Sequence, residues 1–202
     1  DEACPWGLYL APNGGQHDKW TLPLRSLAVR DSSPRPSQSA SIALSNHSDD
    51  HARPSEFAVS GIDWVFIPRG SFRAGSAKEP FDKYVADYWI ARTPITNLQY
   101  RLFVESTGHS APGHWIGNSP PRSRADHPVV NISWLDAAAF CSWAGVQIPN
   151  EAQWEKAARG CDFRQFPWGD TRPECYLCNF AGCHEDTTSV LASIHGSSPY
   201  GC

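Results

Sequence analysis

The sequence predicts an α+β domain rich in loops, and three features carry that prediction. Seventeen prolines and fifteen glycines among 202 residues demand many turns and leave room for few long elements. Nine Trp, nine Phe and six Tyr supply large flat side chains that can pin irregular backbone. Short strand-like runs come first and short, well-capped helical patterns follow. That order suits strands and helices kept apart, not a doubly wound sheet or a helical bundle.

Residues 1–30 carry scattered apolar side chains without a sustained period, among them Trp6, Leu10, Trp20 and Leu27. They are expected to be either the end of a preceding domain fused at the N-terminal side or a strand docked on the main one. Residues 31–61 hold Ser and Pro in linker proportion and too little apolar surface to offset the entropy of ordering. A single domain is expected over 62–202. Within it, 63–67 reads as a strand ended by Pro68-Arg69-Gly70, with 71–76 as its hairpin partner and 84–91 as a further strand. Thr96 is placed to cap a helix that Gly108 stops, with Leu98, Leu102 and Val104 toward one side. Ser133 and Asp136 form a capping pair for a second helix, with Ala137, Phe140, Cys141 and Ala144 as its apolar stripe and Gly145 as its stop. Asn150 and Gln153 repeat the device for a third, with Trp154, Ala157 and Ala158 inward, Glu155 and Arg159 paired across a turn, and Gly160 at the end. Trp134, Trp143 and Trp154 are expected in the core.

The formal net charge of −4 gives no basic footprint for nucleic acid or an anionic membrane. No apolar run is long enough to span a bilayer, and the first residues lack the pattern of a signal peptide. The chain is therefore expected to be soluble and cytoplasmic in a bacterium. It contains no methionine, which reads as a fragment or a processed chain.

Seven cysteines form an odd set. Cys161, Cys175, Cys178 and Cys183 cluster, and Cys175 and Cys178 have the spacing of a metal knuckle that Cys183, His184 or Cys161 could complete. A disulfide within the cluster and plain thiols are the other readings, and spacing does not choose among them. His109, His114 and His127 with Asp126 could be drawn as an iron site, though solvated loop histidines explain them better. Asp136, Glu151 and Glu155 read as helix-terminus acids, so no catalytic residue is assigned.

Several motifs are familiar in their order. "DWVFIPRGSFRAGS" (63–76), "PITNLQYRLFVESTGH" (94–109), "HPVVNISWLDAAAFCSWAG" (127–145), "QIPNEAQWEKAARG" (147–160), "FPWGD" (166–170) and "SPYG" (198–201) resemble the formylglycine-generating enzyme, or sulfatase-modifying factor, family. The resemblance covers about residues 62–202. Ala74 stands where that family carries methionine, and Asn150 where it carries threonine, an equally good cap.

The resemblance implies a C-type-lectin-like α+β fold with little regular secondary structure. It also implies kinship with copper-dependent oxidases that convert a client cysteine to formylglycine with O₂, and with iron-dependent sulfoxide synthases. The family's copper-binding cysteine pair lies in a segment after "SPYG", whereas this sequence runs to Cys202, so the chain reads as the N-terminal two-thirds of the domain. Copper or iron is expected only if the part beyond Cys202 supplies ligands. By the same resemblance, calcium is expected at Asn179, the carbonyl of Phe180 and Asp186, oxygen donors of the right hardness. The alternative function is a non-catalytic module on the same fold that binds a peptide or other ligand.

Overall fold

A computed structural model describes residues 29–31 and 61–202. Most of the N-terminal segment and all but the two end residues of the expected linker lie outside the described residues. Five strands are seen: β1 (Val29–Asp31), β2 (Trp64–Ile67), β3 (Gly70–Gly75), β4 (Pro80–Val85) and β5 (Tyr88–Ala91). Three helices follow: α1 (Asn97–Thr107), α2 (Trp134–Ala144) and α3 (Glu151–Arg159). Mixed helices and small antiparallel sheets make this an α+β chain, as expected.

The strand pairing differs from the expected hairpin. β2 pairs antiparallel with β5, with Val65 opposite Ile90, and β1 joins the other edge of β5 with Val29 opposite the same residue. β3 pairs instead with β4, with Phe72 opposite Lys83. The connector after β2 is Pro68-Arg69, which has neither the glycine nor the asparagine of a tight hairpin turn, so the chain crosses from one sheet to the other. The expected single strand over 84–91 is two strands. Val85 and Tyr88 are both buried, yet three positions apart they would face opposite sides of one continuous strand. The break at Ala86-Asp87 lets both point inward.

All three helices begin and end where the caps require. Thr96, Ser133 and Asn150 each accept a bond from the third helical residue, and the Gln99, Asp136 and Gln153 side chains reach back to the cap backbone. Such short helices need that help, because few intrahelical bonds repay nucleation. On α1 the buried residues are Asn97, Tyr100, Phe103 and Val104, and Leu102 packs against the core; of the expected face only Leu98 is exposed. The aromatic pair outweighs the leucine: Tyr100 stacks on Phe140 of α2 at 5.6 Å and Phe103 meets the same ring edge-on at 5.8 Å. Trp143 joins this cluster through Phe103 and Phe140. Trp134 is 62 % exposed, against expectation, because the first residue of α2 projects one turn beyond the core. Trp154 is half-buried.

A second core joins α3 to the strands. Val65, Ile67, Phe72, Ala74, Val85, Tyr88 and Ile90 pack around Ala157. Lys156 is only 1 % exposed, and its ammonium donates to the carbonyls of Pro68 at 2.6 Å and Gly70 at 3.0 Å. Burial lowers the pKa of this lysine. Glu155 and Arg159 pair at 2.7 Å as expected, but they do more than brace a helix. Glu155 accepts the Gly75 N–H at 3.0 Å and Arg159 donates to the Gly75 carbonyl at 2.9 Å. Gly75 has φ +88°, and a Cβ there would lie 2.6 Å from the Glu79 carbonyl, so only glycine fits the grip.

Replacing Lys156→Met keeps the stem's volume and removes the donors from the Pro68 and Gly70 carbonyls. We expect a loss of about 1–3 kcal/mol in urea unfolding; an unchanged midpoint would contradict the anchoring role. The Asp136 carboxyl is held below its usual range first by the Ser133 hydroxyl, then by the Ser133 backbone, with His109 at 2.8 Å adding to it. A depressed folded pKa gives stability that is present above the unfolded value and lost as pH falls through the folded one. Asp136→Ala should therefore cost about 1 kcal/mol at neutral pH, and the gap to the parent should close below pH ~4. A gap that persists in acid would assign the effect to packing.

Candidate functional site

The loops after α3 build one wall of a cavity of about 950 Å³. Its floor comes from Arg92–Pro94 at the end of β5 and from 128–131 before α2; the opposite wall is 177–197, and Gly201-Cys202 closes one side. Arg92 is tied on both flanks, to Asp63 at 2.5 Å and to the Gly201 carbonyl at 2.6 Å. Asn131 takes φ +58°, a left-handed backbone that asparagine tolerates, and turns its residue toward the cavity just before the α2 cap.

Long-range bonds fix this wall to the core. His127 Nδ1 and the Thr187 hydroxyl are 2.9 Å apart, and the Val190 N–H donates to the Asp126 carbonyl at 3.1 Å. At Gly196 the chain passes so close to the Leu177 carbonyl that any Cβ would overlap it. "PWG" adds Trp168, stacked on Phe166 at 5.2 Å. These residues lie in loops far apart in sequence, so only the tertiary fold brings them together.

The cysteine cluster resolves in one of the ways left open. Cys175 and Cys183 form a disulfide, with Cα atoms 5.3 Å apart. Cys178 and Cys202 are free thiols on the cavity wall, and burial raises the pKa of both. Cys161 does not join them; its sulfur lies 3.5 Å from the Tyr200 hydroxyl. Cys141 sits in the core, where burial pushes its thiol up to about 11. Among the described residues no group of three or more His, Cys, Asp or Glu is placed to hold a metal ion. His109 and His127 are accordingly accounted for by Asp136 and Thr187.

Asn179 and Asp186 are brought together: the Asn179 amide nitrogen donates to the Asp186 backbone carbonyl at 2.8 Å, which leaves its side-chain oxygen for another partner. The Phe180 carbonyl accepts from the Cys183 N–H at 3.0 Å and keeps a second lone pair. The Asp186 carboxylate, however, lies 2.5 Å from the Arg124 guanidinium and also accepts the Thr187 N–H. Arg124, remote in sequence, carried no signal of that role. A divalent ion using this carboxylate has to displace it.

The profile of the sulfatase-modifying factor enzyme 1-like domain matches residues 50–199, most of the chain. The chain belongs to that family. Its profile begins twelve residues before the start expected at 62. The chain is 32 % identical over 159 residues to the formylglycine-generating enzyme of Thermomonospora curvata, covering 52 % of each. It is 52 % identical over 120 residues to the formylglycine-generating enzyme of Mus musculus, covering 56 % of this chain and 32 % of that one. It is also 28 % identical over 178 residues to hercynine oxygenase of Mycolicibacterium smegmatis, covering 68 % of this chain and 42 % of the relative. The chain thus spans about half the length, or less, of these relatives. No helix among the described residues is long and apolar enough to cross a membrane.

Proposed function

We propose that this domain serves a metal- and O₂-dependent oxidation of a client cysteine to formylglycine, on a C-type-lectin-like version of the α+β fold. The cavity is the observation that carries the reading: about 950 Å³ between the β5–α1 link and the 177–197 loop suits one side chain and the peptide flanking it. Apolar groups at Pro94, Val130 and Trp168 offer contact area for the client, with Asn131 beside them on the floor. In such a site these residues bind and orient the client and keep water from its thiol. Copper, when bound in such enzymes, supplies the one-electron chemistry with oxygen. The described residues do not form its ligand set, so no step is assigned through it. The alternative, a module that only binds the peptide, uses the same wall.

The disulfide bears on the compartment. Such bonds are rare in the bacterial cytoplasm expected from the sequence, and we place the protein in an oxidising compartment instead. We also propose calcium at Asn179, the Phe180 carbonyl and Asp186, where it would stiffen the loop against which the client lies.

Two experiments test these readings. The full-length protein, supplied with copper and a cysteine-bearing sulfatase peptide, should produce a peptide aldehyde that hydrazide captures. Peptide binding without aldehyde would select the binding module, and no binding would reject both. For calcium, Arg124→Gln frees the Asp186 carboxylate and should tighten calcium binding about two- to fivefold by calorimetry. Unchanged or absent binding in both proteins would remove calcium from this loop.

A further inference from the structure

Cys175, Cys178 and Cys183 form an arrangement that the proposed function does not use, and Cys178 among them lines the cavity. Residues 174–178 form one helical turn, in which the Leu177 and Cys178 N–H groups both donate to the Glu174 carbonyl, at 2.8 and 3.2 Å. Side chains three apart on such a turn are neighbours. Cys178 therefore lies beside Cys175, which already carries the bond to Cys183. Cys175 is exposed, whereas Cys178 and Cys183 are half-buried. A free thiol on the cavity wall thus stands next to an accessible disulfide.

We propose that these three cysteines form a thiol–disulfide exchange site whose ligand, a small thiol or a cysteine peptide, triggers a shift of the disulfide from Cys175–Cys183 to Cys175–Cys178. The entering thiolate attacks Cys175 Sγ, the Cys175–Cys183 bond breaks, and Cys183 leaves as a thiolate that takes up a proton. Cys178, giving up its proton, then attacks Cys175 Sγ in the mixed disulfide. The Cys175–Cys178 bond forms and the entering thiol is released unchanged. One disulfide is present before and after, so no oxidant or reductant is consumed. The exchange has a structural consequence, because freeing Cys183 releases the turn it makes to the Phe180 carbonyl and, with it, the approach to Asn179 and Asp186. Burial keeps Cys178 protonated at rest, which makes it a resolving thiol and leaves the first attack to the entering one. This inference stands apart from formylglycine formation and survives if that activity is absent.

Chymotrypsin separates the three cysteines, since Tyr176 and Phe180 fall between them. The full-length native protein, incubated with and without trace reduced glutathione, is acid-quenched, alkylated, digested and mapped by mass spectrometry without reduction. The expected result is a Cys175–Cys183 linkage that gives way severalfold toward Cys175–Cys178 when glutathione is present, with no lasting glutathione adduct. Cys178→Ser should lose the second linkage and accumulate glutathione on Cys175, and Cys183→Ser should carry Cys175–Cys178 alone. The proposal is overturned if glutathione leaves the native linkage unchanged, or reduces it to free thiols without Cys175–Cys178 appearing. That first arm needs no variant to fold.

Discussion

A buried ammonium holds this chain together. Lys156, on the inner face of α3, donates to the carbonyls that flank the bend between β2 and β3, and the Asp87 carboxylate favours its charge. Burying a charge costs several kcal/mol unless hydrogen bonds replace water, so the bend must stay where those carbonyls meet the lysine. That requirement explains why the chain leaves one sheet for the other at Pro68 rather than folding back. The same helix holds the second sheet through Glu155 and Arg159 on Gly75, and the first through the Tyr88 hydroxyl, which donates to the Gln153 carbonyl at 2.5 Å. Each sheet is too small to be stable alone; α3 makes them one body.

The loops that carry the candidate site depend on this body. Arg164, just past α3, donates to the Pro167 carbonyl, and Arg159 caps the Arg164 carbonyl while lying 4.6 Å from the Phe163 ring. The chain is thereby aimed from α3 into "PWG" and on to the 177–197 wall. Few apolar side chains anchor that wall: Leu177 is buried, but Tyr176, Phe180, Leu191 and Ile194 are exposed. Its shape rests on scattered hydrogen bonds to His127 and Asp126 and on one disulfide, which is the balance expected of a binding surface carried on a rigid frame.

What the sequence disclosed follows from how local each determinant is. Helix termini were legible because a cap, its third residue and a closing glycine lie within one short window, as at Ser133, Asp136 and Gly145. Strand partners were not, since β2 and β5 are separated in sequence by the whole β3–β4 hairpin. Nothing in the sequence signals that Lys156 is buried, because nothing in it marks the two carbonyls that receive the ammonium. Trp134 looked like core because tryptophan usually is, but its place at the first helical position puts it outside. In the loops, Asn179 and Asp186 are close enough in sequence to be paired, whereas Arg124 reaches Asp186 from before α2. The disulfide could not be chosen from four clustered cysteines, because spacing permits several connectivities and only the turns at 174–178 and 180–183 select one.

Native-state hydrogen exchange tests the division between frame and wall most directly. The amides of β2, β5, α1 and α3 should exchange together and only through global unfolding, so that added urea accelerates them with one common slope. The 177–197 amides should exchange far faster and be nearly insensitive to urea, through local openings that leave α3 closed. Equal protection and a shared urea slope for wall and frame would contradict the account, because the site would then be part of the core that Lys156 holds.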